Sequence, residues 1–289
     1  MNVPWRDRRG VFQPLKAAVL VCAFIPGLTY AGWWIDGDLG GRALNEVIHA
    51  TGNWAVRWLL LSLAITPFAR ILEWPKLLTA RRMVGLTALA YATVHLSLYI
   101  VDQKFHLLTV ASEIALRFYL TIGFVTLLGL TALGCTSTDS AMKRMGKRWK
   151  QLHRLAYPIG ALALLHFYIQ TKANVAEPVL MSGLFLWLMA WRLLPAARRT
   201  WLPAYYLMVP VSAALTVGFE FAWYSLATKV DPLRILAANW NERFFPRPAH
   251  EVALVALAVA VVVTIRRFIQ RWRSRRPMQG GGTARAASR

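Results

Sequence analysis

Three histidines stand inside long apolar runs, away from carboxylates. His95 lies in LTALAYATVHLSLYIV, and His153 and His166 lie in WKQLHRLAYPIGALALLHFYIQ. An ionisable side chain at membrane depth is costly, so by default it has a partner or a function. Several imidazoles on two apolar segments point to metal ligation, and the best candidate is the iron of haem. Other chemistries are poorly supplied. No carboxylate pair falls in an apolar run, Glu220 is the lone acid within one, and neither a Ser–His–Asp order nor a zinc motif is visible. The two cysteines, Cys22 and Cys135, form no C-x-x-C, which removes covalent c-type haem and iron–sulfur sites.

The elements that must position these side chains are membrane helices. Of the 289 residues, 57% are hydrophobic, and apolar runs of about twenty recur, each long enough to cross the hydrocarbon core. The sequence predicts an all-α, polytopic membrane helix bundle of about eight spans. They fall near 15–34, 54–72, 83–101, 117–134, 152–170, 177–194, 203–227 and 249–267. The formal charge of +21 is not gathered into one module, so a nucleic-acid partner is not expected. Instead the basic residues alternate between loops: Arg6, Arg8, Arg9 and Lys16, then Arg70, Lys76, Arg81 and Arg82, then Lys143 to Lys150, then Arg192, Arg198 and Arg199. The opposite loops carry Asp36, Asp38, Glu46, Asp102, Glu113 and Glu177. This asymmetry predicts a retained first span and both termini inside, with residues 1–14 cytoplasmic and 269–289 a basic, disordered cytoplasmic tail at the anionic lipid surface. No dinucleotide or nucleotide fingerprint occurs, so electrons would come from a separate donor.

Topology assigns depths. His95 follows Arg82 by 13 residues and His166 lies a similar distance beyond Lys150, so both sit roughly 20 Å from the inner surface. A level-matched pair on two helices suits the two axial ligands of one haem, a low-spin electron carrier. His153 is nearer the inner face, where Arg81 and Arg82 stand at matching depth. A haem with one protein ligand, or a flavin or haem propionate held by those arginines, is open there. The 13-residue step from His153 to His166 does not keep one helix face, and Pro158 between them could alter the phase. His49 is expected in an outer loop, capping the second span or touching a haem edge. His106 and His250 read as solvated loop residues.

The stretches HATGNWAVRWLLLSLAITPFAR, RRMVGLTALAYATVHLSLY, RFYLTIGF and TSTDSAMKRMGKRWKQLHRLAYPIGALALLHFYIQ resemble the methionine sulfoxide reductase haem-binding subunit family (MsrQ, also called YedZ). That family belongs to the ferric reductase-like transmembrane superfamily, and the resemblance covers about residues 15–195. It implies a bacterial inner-membrane protein with haem b and reportedly flavin mononucleotide. Such a protein passes electrons from the quinone pool or a cytosolic flavin reductase to a periplasmic molybdopterin methionine sulfoxide reductase, which does the chemistry on oxidised proteins. The family's histidines carry over onto His95, His153 and His166, and His49 matches a further one. The departure is residues 196–268, where two more apolar spans and an outer loop follow the six-helix core. Two rival readings accompany this one: a stand-alone metal or quinone reductase, and a transporter or membrane anchor with a histidine proton relay.

Overall fold

The computed structural model describes residues 5–6, 10–171 and 174–274, and among these there is no strand. The helices are α1 (Pro14–Asp36), α2 (Ala43–Ile71), α3 (Arg81–Asp102), α4 (Leu107–Leu116), α5 (Phe118–Cys135) and α6 (Asp139–Met145). They continue as α7 (Lys147–His153), α8 (Ala156–Gln170), α9 (Ala176–Leu193), α10 (Leu202–Ala227), α11 (Pro232–Ala238) and α12 (Pro248–Ser274). The chain is a polytopic helical membrane protein. Six segments are long and apolar enough to cross a membrane: those holding α1, α2, α3, α5, α10 and α12. The remaining two expected spans correspond to α8 and α9. α8 has only 15 residues, and α9 has 18 but carries Glu177 and Arg192.

One buried apolar cluster runs through the bundle, from Leu59 and Leu63 on α2 past Val84 on α3, Leu130 on α5 and Ala163 on α8. It continues through Trp187 on α9 to Met208 on α10 and Ala260 on α12, so the two C-terminal helices share the core. The outer surface is apolar as well, with Leu28, Leu128 and Leu254 exposed, as lipid-facing side chains are. Within α2, Pro67 has no N–H to offer the Leu63 carbonyl one turn back. Arg192 of α9 supplies the missing donor, bonding that carbonyl through Nη2 and Leu188 O through Nη1 at 2.9 Å. At the same end of the bundle, Arg266 caps α2 by donating to Ile71 O at 2.8 Å and pairs with Glu73 at 2.9 Å. The opposite end holds the Arg57–Glu177 pair, Glu113–Arg117 at 2.7 Å and Arg247–Glu220 at 2.5 Å.

Several expectations change. α2 begins at Ala43, so His49 lies on the helix and not in a loop; the apolar run marked only the deeply buried part of a helix that continues past it. His250 lies in the first turn of α12, half-buried, with Nδ1 accepting from Arg247 N at 3.2 Å. His106 is the residue preceding α4, a short helix where a loop is expected. α12 runs to Ser274, beyond its expected end, while residues 275–289 of the tail, with Arg8 and Arg9, lie outside the described residues.

Candidate functional site

His95 on α3 and His166 on α8 face each other across the bundle interior, with ring centroids 6.4 Å apart and planes at 79°. The construction is the same on both sides. His95 Nδ1 lies 2.8 Å from Ile48 O of α2, and His166 Nδ1 lies 2.8 Å from Tyr119 O of α5. A carbonyl oxygen can only accept, so Nδ1 carries the proton in each ring and Nε2 keeps a free lone pair. That tautomer is the one a metal-ligating imidazole adopts, with its other nitrogen anchored to a backbone carbonyl.

Glycines make the approach of these rings to the helices feasible. A Cβ at Gly52 would stand 3.1 Å from His95 Cε1, and one at Gly123 would stand 2.8 Å from His166 Cε1. Gly52 lies one helical turn after Ile48, and Gly123 one turn after Tyr119. Each imidazole therefore rests over the turn between a carbonyl and a glycine four residues on. Tyr119 also stacks on His166, with centroids 6.4 Å apart and planes at 20°.

A centroid separation of 6.4 Å is compatible with one metal atom bonded at about 2 Å to a ring nitrogen of each histidine. Among the described residues no group of three or more His, Cys, Asp or Glu could hold a metal ion. A bare transition-metal site needs three or four protein donors. Two opposed imidazoles instead suit a metal whose remaining donors belong to a macrocycle, as in haem. The surrounding cavity is lined by Leu59, Leu96, Leu127 and Phe167, with His49 and Tyr99 at its edge. It measures about 180 Å³, less than the roughly 300 Å³ or more of a preformed cofactor pocket.

Of the other candidate residues, His49 lines the same cavity, whereas His153, Arg81 and Arg82 are not brought to this pair. His153 ends α7, and the chain breaks at Arg154–Leu155 before α8 begins, so His153 and His166 do not share a helix. Pro158 then falls in the first turn of α8, where its missing N–H has no intrahelical partner to lose. His153 stacks on Trp149 at 3.9 Å, and its Nε2 is 3.2 Å from the Thr136 hydroxyl. Burial and the nearby Arg81 charge both depress its pKa below the ordinary histidine value. Arg82 points elsewhere, to Asp139 at 2.6 Å. His49 reaches the cavity edge from α2. Gly52, Gly123 and the Ile48 and Tyr119 carbonyls are the components the sequence reading missed. The signal for them was a glycine 43 residues before each histidine, occurring twice.

Residues 51–164 match the ferric reductase like transmembrane component family. A relative from Rhodospirillum rubrum, the "Protein-methionine-sulfoxide reductase heme-binding subunit MsrQ", is 40% identical over 196 residues, covering 67% of this chain and 92% of the relative. A protein of the same name from Xanthomonas oryzae is 40% identical over 195 residues, covering 64% and 89%. Another from Xanthomonas campestris is 41% identical over the same shares. No solved structure matches. Across the core that carries both opposed histidines, the chain belongs to the family of methionine sulfoxide reductase haem-binding subunits.

Proposed function

We propose that His95 and His166 are the axial ligands of one b-type haem, and that the chain carries electrons across the bacterial inner membrane. The donor would be the quinone pool or a cytosolic flavin reductase. The acceptor would be a periplasmic molybdopterin methionine sulfoxide reductase, which does the bond-breaking on substrate. The observation that carries this reading is the imidazole pair, its ring centroids 6.4 Å apart, each ring held through Nδ1 by a backbone carbonyl so that Nε2 keeps its lone pair. Haem between two imidazoles supplies one-electron transfer with no open coordination position. The Ile48 and Tyr119 carbonyls hold the ligand rings in one tautomer and orientation. Gly52 and Gly123 admit those rings against α2 and α5. Leu59, Leu96, Leu127 and Phe167 limit water around them. The basic end, with Lys16, Arg82, Arg199 and Arg266, supports a cytoplasmic assignment for both termini. A flavin mononucleotide would belong beside His153 and Arg81 at that end. A histidine proton relay is disfavoured, because both Nδ1 protons are committed to carbonyls.

The test is the reduced-minus-oxidised spectrum of protein purified from haem-replete cells. A sharp low-spin b-type signal is expected, lost in His95→Ala and in His166→Ala. A haem-free wild type, or variants that keep the low-spin signal, refute the assignment. Electron delivery to the periplasmic reductase, compared with a ferric chelate, separates the subunit reading from a stand-alone metal reductase.

A further inference from the structure

A second cavity lies away from the histidines, between α1 and α3, and measures about 1050 Å³. α1 is loosely held: Pro26 is its single buried residue. The walls are apolar, with Leu20, Phe24 and Leu28 on α1 facing Leu86, Ala90 and Val94 on α3. From Met83 to Val94 the wall runs eleven residues, about 16 Å of helix rise. That is the depth of one leaflet, half of a hydrocarbon core of about 30 Å. The cavity is therefore a slot one acyl chain deep, opening at the basic end.

Its mouth carries Arg6, Lys16 and Arg82 together with Asp139. Arg82 is paired with Asp139 at 2.6 Å. Among the described residues, Arg6 and Lys16 have no ion-pair partner. The mouth thus holds, among the described residues, two cations in excess of its one carboxylate. The depth of the slot is different in kind. Thr51 and Thr87 donate to carbonyls of their own helices, and Tyr91 Oη donates to Ala23 O at 2.7 Å. Each hydroxyl hydrogen in the slot is spent on the backbone, which suits a hydrocarbon chain and leaves no donor for a polar redox head.

We propose that this slot is a binding site for an anionic phospholipid, its phosphate at Arg6 and Lys16 and an acyl chain between α1 and α3. Zwitterionic lipids fill the same apolar walls and carry the same phosphate, but their ammonium group offsets its attraction to the excess cations, so they gain less. The lipid joins α1 to the rest of the bundle where protein packing is sparse.

Native mass spectrometry of the full-length protein in detergent, titrated with phosphatidylglycerol and separately with phosphatidylcholine, tests this. Phosphatidylglycerol is expected to bind more tightly. Removing each cation costs about fivefold, so Arg6→Gln/Lys16→Gln should lose roughly 25-fold in phosphatidylglycerol affinity and clearly less in phosphatidylcholine affinity, which erases the preference. Arg6→Lys/Lys16→Arg should restore the preference, and Ala90→Trp, which narrows the slot, should weaken binding of both lipids. Monodisperse elution of each variant excludes misfolding, and the single variants Arg6→Gln and Lys16→Gln carry the test if the double variant fails to elute. Equal affinity for the two lipids in the wild type overturns the proposal, as does a charge-neutralised variant that keeps its preference. Saturation by inorganic phosphate alone identifies a free-phosphate site instead. One-for-one displacement by a quinone or by flavin mononucleotide identifies a redox site.

Discussion

Gly123→Ala adds one methyl group to an interior helix position and should damage the ligand pair without weakening the fold. The new Cβ would stand 2.8 Å from His166 Cε1, 2.9 Å from Nδ1 and 3.1 Å from Nε2. Carbon contacts rest at about 3.5 Å or beyond, so the ring must retreat by roughly 0.7 Å. It cannot do so freely, because Nδ1–H is held at 2.8 Å by Tyr119 O. The methyl either breaks that bond or displaces the ring from its present position opposite His95. Losing the hydrogen bond that orients a metal ligand costs about 10- to 100-fold in affinity, or about 1.4–2.7 kcal/mol. Alanine is favoured over glycine inside a helix by about 1 kcal/mol, so the haem-free variant should be no less stable than the wild type.

The assay is haem titration of the purified apo-protein, read by the low-spin absorption, beside the thermal midpoint without haem. Gly52→Ala is the internal control. Its Cβ would stand 3.1 Å from both His95 Cε1 and Nδ1, so the ring need give only about half as much and the loss should be under about tenfold. Wild-type affinity in Gly123→Ala, or a larger loss in Gly52→Ala, refutes the reasoning. A matching fall in the haem-free midpoint would instead assign the effect to general destabilisation.

Two further outcomes follow from the geometry. His153→Ala should retain the low-spin signal of the opposed pair, because Thr136 and Trp149, and neither paired histidine, are its neighbours; loss of that signal in a haem-replete, monodisperse preparation would contradict the separation. Glu220→Ala leaves Arg247 without the carboxylate it meets at 2.5 Å, in a site where Glu220 is only 3% exposed, so a loss of about 3–5 kcal/mol is expected. The thermal midpoint should recover in Glu220→Ala/Arg247→Met, and absence of recovery would show that the pair is not the cause.

The helical membrane fold was legible because apolar length and basic-loop alternation are local signals. So was the level of His95 and His166, since depth along a helix is a count of residues from the nearest basic loop. Boundaries were less legible where polarity and helicity part company. α2 continues outward through Glu46 and His49 because its first turns are helical without being apolar, and α8 starts late because the chain breaks at Arg154–Leu155. The unexpected α4 has the composition of a short apolar helix but falls well below a span's length. Pairings across the bundle were not legible at all. Nothing in the order of residues says that Arg192 answers the carbonyl left bare by Pro67, or that Arg247 closes on Glu220.

The two halves of the ligand pair have a regularity that neither shows alone. His95 meets the carbonyl 47 residues before it, and His166 meets the carbonyl 47 residues before it. The glycine that admits each ring is 43 residues earlier in both cases. α2 and α3 therefore stand to one imidazole as α5 and α8 stand to the other, with the chain running in the same sense through both pairs. The equal spacings are those expected of an internal repeat along the chain. The repeat accounts for why the rings arrive at one level from opposite sides: equal steps along two equivalent helix pairs set equal depths. It also accounts for the unequal connections between the pairs. α2 reaches α3 through a short linker, whereas α5 reaches α8 through α6 and α7. Equal spacing despite that detour means that α6, α7 and His153 take up chain length that the first pair spends on longer helices. His153 thus belongs to the connection, and the opposed histidines belong to the repeat.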